Sequence, residues 1–136
     1  MKIQANLKAA TPKPVPAAWY RAAISGKKYK NYSKPDKAND QYPMYEFTIL
    51  SESPIGDPNE PSTIGRKVFQ GIFVDWKMAQ LYQAALSLSP EEMPESEYDD
   101  DEIVGHELMI EVVHDTYTPA DGKPEIRTHV ENFKSL

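Results

Sequence analysis

The chain has 136 residues, 40% of them hydrophobic and 26% charged, with a net charge of −6 and no cysteine. This is the composition of one globular domain long enough to bury a core, and it excludes a disulfide framework or a thiolate metal site. No apolar run reaches membrane-helix length and the first residues lack the apolar core of a secretory signal, so a cytoplasmic protein without membrane association is expected. His106, His114 and His129 are scattered without metal-ligand spacing, so neither a metal nor another cofactor is expected.

The net charge hides an asymmetry. Residues 1–37 carry nine Lys/Arg against Asp36 alone, a balance of +8, whereas the remainder holds six basic and twenty acidic side chains, a balance of −14. A basic segment on an acidic protein marks a polyanion-binding face, while the acidic remainder repels polyanions from other surfaces.

Residues 1–16, with Pro12, Pro14 and Pro16 in alternation, read as an extended arm, either free or laid along the domain as a covering strand. The domain proper is expected over 17–136. From Ala17 to Ser25 the pattern alternates, with Tyr20, Ala22 and Ile24 on one face of a first strand and Trp19, Arg21 and Ala23 on the other. Gly26 is expected to end that strand and open a long loop to about Gln41. The loop begins Lys27-Lys28-Tyr29-Lys30-Asn31-Tyr32-Ser33-Lys34, four lysines and two tyrosines in eight residues. Lysines track a phosphate backbone and aromatic rings stack on unpaired bases, which is what single-stranded nucleic acid requires. The plainer reading is a solvated lysine-rich hairpin tip.

Tyr42–Leu50 reads as a second strand, with Tyr45, Phe47 and Ile49 on one face and Met44, Glu46 and Thr48 on the other; alternation does not say which face is inside. Residues 51–64, rich in proline, form a loop. A third strand spans Lys67–Val74, with Val68, Ile72 and Val74 inward and Lys67, Phe69 and Phe73 outward. Gly71 marks a bulge or the close approach of another backbone. Asp75 is expected to cap a helix over residues 76–88 with a buried stripe of Met78, Leu81, Tyr82, Ala85 and Leu88. Ser89-Pro90-Glu91-Glu92 forms a capping box for one further turn. Glu91 to Glu102 holds eight acids in twelve residues, ending Asp99-Asp100-Asp101-Glu102, and reads as a solvated acidic loop. A fourth strand over His106–Thr116, a turn and a fifth strand over Ile126–Phe133 complete the chain.

Five short strands with a helix between the third and fourth is the element order of the OB-fold, a five-stranded Greek-key barrel. Its ligand face lies on strands two and three, between the loops joining strands one to two and four to five. Charge and element order thus indicate the same surface, the basic tyrosine-rich stretch.

The arm leading into Pro16-Ala17-Ala18-Trp19-Tyr20, the Gly65-Arg66-Lys67-Val68-Phe69 start of strand three, and the acidic stretch ending in a hydrophobic pair and Gly105 resemble the small phage-encoded single-stranded DNA-binding proteins. The likeness covers most of residues 17–133. It implies sequence-nonspecific, cooperative protection of single-stranded DNA during phage replication or recombination in the host cytoplasm, without catalysis. Self-association is left open. Many proteins of that function end in an acidic tail that recruits replication or recombination partners; this chain ends Glu131-Asn132-Phe133-Lys134-Ser135-Leu136, so Glu91–Glu102 is the candidate recruiting stretch.

The expected phosphate contacts are Arg21, Lys27, Lys28, Lys30, Lys34, Arg66 and Lys67. The expected stacking rings are Tyr29 and Tyr32 in the loop with Trp19, Tyr45, Phe47, Phe69 and Phe73 on the sheet. No Gly-rich phosphate loop or nucleophile–base pair argues for an enzyme. The competing reading is an OB-like protein-interaction module whose basic loop meets an acidic protein.

Overall fold

The computed structural model describes residues 1–5, 13–34, 36, 39–56 and 58–136. Lys8, Pro12, Pro35 and Lys37, which contribute to the arm and loop readings, lie outside the described residues. The strands are β1 (Ala18–Asn31), β2 (Gln41–Ile49), β3 (Lys67–Gly71), β4 (Glu107–Tyr117) and β5 (Glu125–Lys134), with a helix α1 (Asp75–Leu86) and a 3-10 turn at Pro90–Glu92. All pairings are antiparallel, in one sheet of order β3-β2-β1-β4-β5.

The alternating residues of β1 become the core as expected, and the burial of one face of β2 settles what alternation left open. Tyr20, Ala22 and Ile24 of β1, Tyr45, Phe47 and Ile49 of β2, and Leu108, Ile110 and Val112 of β4 are buried on one face of the sheet. Helix α1 covers that face, contributing Met78, Leu81, Tyr82, Ala84 and Ala85, and packs against β5 and β4. Its cap departs from the expectation. Val74, in extended conformation (φ −135, ψ 149), is the N-cap residue, and Asp75 lies in the first turn, where a negative charge still suits the helix dipole. Strand β3 stops at Gly71, which leaves Val74 exposed rather than inward. The 3-10 turn has the expected capping box, with the Ser89 amide donating to the Glu92 carboxylate at 3.0 Å.

The sheet does not close. Among the described residues no main-chain ladder joins β3 to β5. The two edges are linked instead by the Gln70 side chain, whose Oε1 accepts from the Val130 amide at 2.9 Å. With only five residues β3 offers a short edge, and a side chain takes the place of a ladder partner there.

Beneath the sheet, residues 13–16 form a strap drawn into the domain. Val15 is buried. The Tyr20 hydroxyl donates to the Pro16 carbonyl at 2.7 Å, His114 Nε2 lies 2.6 Å from the Val15 carbonyl, and Arg66 Nη2 donates to the Lys13 carbonyl at 2.7 Å. The end of the arm is thus a covering segment, and the packed unit begins before residue 17.

Candidate nucleic-acid interface

The main correction to the sequence reading concerns Gly26. It does not end β1. The strand continues through the basic stretch to Asn31, paired Lys27 to Tyr45, Lys28 to Met44, Tyr29 to Pro43, Lys30 to Tyr42 and Asn31 to Gln41. The basic stretch is therefore mostly part of a two-stranded arm, paired as far as Asn31 and Gln41. A bulge between Ile24 and Gly26 inserts Ser25 without a partner. Because strand side chains alternate with period two, one extra residue exchanges the faces of everything beyond it. Lys27 and Tyr29 thereby join the inward side with Tyr45, and Lys28 and Lys30 point outward with Met44 and Tyr42.

On the inward side the lysine is sequestered. The Lys27 side chain is only 5% exposed and pairs with Asp100 at 2.9 Å and Asp101 at 2.8 Å. Its ammonium also donates to the Tyr29 hydroxyl at 3.0 Å and stands 4.2 Å from the centre of the Tyr29 ring. The Tyr29 hydroxyl donates to the Asp100 carboxylate, and the Tyr45 hydroxyl donates to the Asp100 carbonyl at 2.7 Å. Burial alone would lower the Lys27 pKa, but its bonds to Asp101, Tyr29 and Asp100 outweigh it and hold the ammonium charged. Burial likewise works against the Asp100 carboxylate, and the bonds from Tyr29 and Lys27 outweigh it, keeping the group below the ordinary carboxylate range. Lys27 is thus an internal partner of the acidic loop, whereas Tyr29, although bonded to Asp100, remains 50% exposed.

The acidic stretch is correspondingly less solvated than its composition suggests. Asp100 and Asp101 hold Lys27, and Glu102 accepts from Tyr82 at 2.5 Å, a bond that pushes the Tyr82 hydroxyl up to about 12. Asp99, Asp100 and Asp101 bring carboxylate oxygens within 4.8 Å of one another, but a lysine ammonium already balances two of them. Glu91, Glu95 and Glu97 are exposed.

The outward side carries a different arrangement. Gly71, opposite Met44 on β3, forms a floor on which the Tyr42 ring rests; a methyl group there would lie 2.6 Å from that ring and 3.0 Å from Phe73. The close approach signalled by Gly71 is thus of an aromatic ring rather than a backbone. Tyr42 and Phe73 have ring centres 4.4 Å apart, and Tyr32 completes the cluster at 5.1 Å from Tyr42 and 5.8 Å from Phe73. Phe73 is 54% exposed and Phe69, farther along β3, 47% exposed. Beside Phe69 a groove of about 230 Å³ runs between Gly26, Lys27, Lys28, Met44 and Glu46, with Lys27 contributing to its lining although its side chain is 5% exposed. Lys28, Lys30 and Lys34 are exposed, and among the described residues no carboxylate lies within ion-pairing distance of them. Glu46 is the one acid lining the groove. A hydrogen bond from Ser25, with Lys67 at 3.3 Å, holds its pKa low, so Lys67 is spent neutralising it.

The remaining expected contacts are dispersed. Tyr45 and Phe47 are fully buried, which removes them as stacking rings. The expectation treated the two faces of β2 as interchangeable, whereas α1 covers one of them. Arg21 pairs with Glu107 at 3.2 Å, and Trp19 lies under Lys134, 4.2 Å from its ring centre. Arg66 is tied to the strap beside a larger cleft of about 650 Å³. The polar groups of that cleft are mutually paired, as in Lys13 with Glu60 at 3.5 Å and Glu52 with Ser62. Lys28, Lys30, Tyr32, Lys34, Phe69 and Phe73 remain together. Tyr42, Met44 and Gly71 join them, unanticipated although Tyr42 and Gly71 both flank the expected contacts.

A comparison with protein-family models and curated protein sequences finds no match for this chain. Among the described residues no helix is long and apolar enough to cross a membrane.

Proposed function

We propose that this protein binds single-stranded nucleic acid, single-stranded DNA first, without sequence preference and without catalysis, on the outward face of the β1–β2 arm and β3. The observation that carries the reading is the Tyr32–Tyr42–Phe73 cluster beside Lys28, Lys30 and Lys34. The exposed Phe73 ring and the half-buried Tyr32 and Tyr42 rings give a base a surface to stack on, and exposed lysines can release counterions from phosphates. That such a patch occurs on a protein of net charge −6 argues against a merely solubilising surface.

The architecture supports the same reading. The run β3-β2-β1-β4 is the spatial order 4-1-2-3 of a Greek key, and β5 extends it toward the free edge of β3. We read the sheet as an OB-type barrel with one seam left unladdered, its ligand face on β2 and β3 beside the loop of residues 32–40. In this reading the protein covers single strands during phage replication or recombination. The exposed acids Glu91, Glu95 and Glu97 are what remains of the Glu91–Glu102 stretch for recruiting a partner protein.

The test is fluorescence anisotropy of a labelled oligo-dT at low and moderate salt, with a duplex of equal length alongside. The single strand binds tighter than the duplex, and Tyr42→Ala or Phe73→Ala each weakens binding by about 1–3 kcal/mol. Absence of binding to either form at low salt overturns the proposal. The exposed Val74 and Trp76, 47% and 69% accessible, would then favour an interaction module for another protein.

A further inference from the structure

Asp100 touches the binding arm three times and carries the wrong charge to touch a polyanion. Its carboxylate takes the Lys27 ammonium and the Tyr29 hydroxyl from β1, and its carbonyl takes the Tyr45 hydroxyl from β2. Both strands of the arm are therefore fastened to one residue of the acidic loop. The fastening sits where the ordinary sheet contacts of β1 run out. β1 pairs with β4 only over residues 18–23, and the last main-chain bonds on that side join Ile24 to His106 and Gly105. Beyond the Ser25 bulge, β1 has β2 on one side and, among the described residues, no strand on the other. A two-stranded ribbon projecting from a sheet is by itself only marginally ordered.

We propose that Asp100 is the positioning residue of the nucleic-acid site: it braces the β1–β2 arm from its inward side and so fixes the orientation of Lys28, Lys30 and Tyr42 on the outward side. The inference rests on the single-strand-binding reading above. The brace also assigns a role to the bulge. Were Ser25 paired in regular alternation instead of bulged out, Lys27 and Tyr29 would point outward and Asp100 would have nothing to hold. Holding one lysine between two carboxylates leaves the inward side with a net negative charge, so a nucleic-acid strand is confined to the outward face.

The sign of one substitution separates this from general electrostatics. Asp100→Asn removes a negative charge from a polyanion-binding protein, and long-range attraction alone would tighten binding. The brace requires the opposite, a loss of about five-fold or more in oligo-dT affinity. Glu97→Gln removes the same charge from the same loop, at an exposed position for which, among the described residues, no hydrogen bond or ion pair to the arm is formed, and leaves affinity unchanged or slightly higher. Tyr29→Phe removes one of the three bonds with no change of charge and weakens binding in the same direction as Asp100→Asn. A second measurement does not depend on nucleic acid. In Asp100→Asn, amide hydrogen exchange of residues 27–31, 41, 42, 44 and 45 accelerates by about ten-fold or more while that of β4 and β5 stays as in the parent, which also shows that the variant is folded.

Tighter binding by Asp100→Asn, matching Glu97→Gln, overturns the proposal, as does arm exchange no faster than in the parent. If the parent protein binds no oligonucleotide while the arm of Asp100→Asn still loosens, the functional reading fails and the brace survives as a structural element alone.

Discussion

Gly71 shows how much of the interface depends on a missing side chain. The Tyr42 ring occupies the space a Cβ would fill, and Phe73 packs against the same spot, so the cluster has its floor in a hydrogen atom. The backbone of Gly71 is not left-handed, so alanine is conformationally acceptable and the conflict is purely steric. Something must move, and the Tyr42 ring is the flexible party. Gly71→Ala is expected to keep the fold by circular dichroism while weakening oligo-dT binding about as much as Tyr42→Ala does, within the 1–3 kcal/mol of a stacking ring. Legibility at this scale was uneven. Gly71 was readable as a place of close contact because glycine in a strand leaves a gap to fill. Lys27 was not readable as buried: nothing in Lys27-Lys28 distinguishes the lysine that meets Asp100 from the one that meets solvent, since the partner acid is more than seventy residues away.

For the elements, hydrophobic alternation located every strand but misjudged the longest. Alternation reports burial on one face, and β1 beyond Gly26 has polar residues on both faces, so the pattern ended where the pairing did not. The helix was legible from its apolar stripe, and its ends were not, because Val74 caps it by backbone geometry rather than by a side chain. At the C-terminal end of α1, Ser87 adopts a left-handed conformation (φ 54, ψ 43), which glycine enters without the steric conflict of a Cβ. Ser87→Gly is expected to raise stability by about 0.5–1 kcal/mol in urea unfolding, less any compensating entropy of the unfolded chain. Ser87→Val should lower it. Unchanged midpoints for both would mean that the conformation carries no strain.

Across the whole molecule, the electrostatics divide into spent and available charge. Lys27 and Lys67 are ion-paired with carboxylates, whereas among the described residues Lys28, Lys30 and Lys34 form no ion pair. With a slope of about −0.7 per phosphate on single strands, three lysines predict a slope near −2 in a plot of log K against log salt. Lys30→Ala is expected to reduce the slope by about 0.7, and Lys67→Ala to leave it nearly unchanged, both measured in the same anisotropy titration. A slope near −4 or steeper would mean that residues now assigned internal partners leave them on binding. The charge asymmetry pointed to the basic first 37 residues, and only the three-dimensional pairing could divide those lysines into two groups.

The place of β1 in the sheet has a consequence for the life of the chain on the ribosome. β1 takes β2 as one neighbour, close in sequence, and β4 as the other, with Ala18 opposite Val112 and Ala23 opposite Glu107. During synthesis the first three strands emerge with that second edge of β1 bare and with Tyr20, Ala22 and Ile24 uncovered. At roughly 5–20 residues per second, the stretch that separates β1 from β4 takes on the order of 4–15 s to appear. Through those seconds the nascent protein presents an unpaired strand edge beside an apolar surface, the combination most prone to join a neighbouring chain. Dense polysomes translating this message would therefore expose it to misassembly more than dilute refolding does, and a chaperone that covers residues 18–24 until the fourth strand arrives would have its greatest effect there.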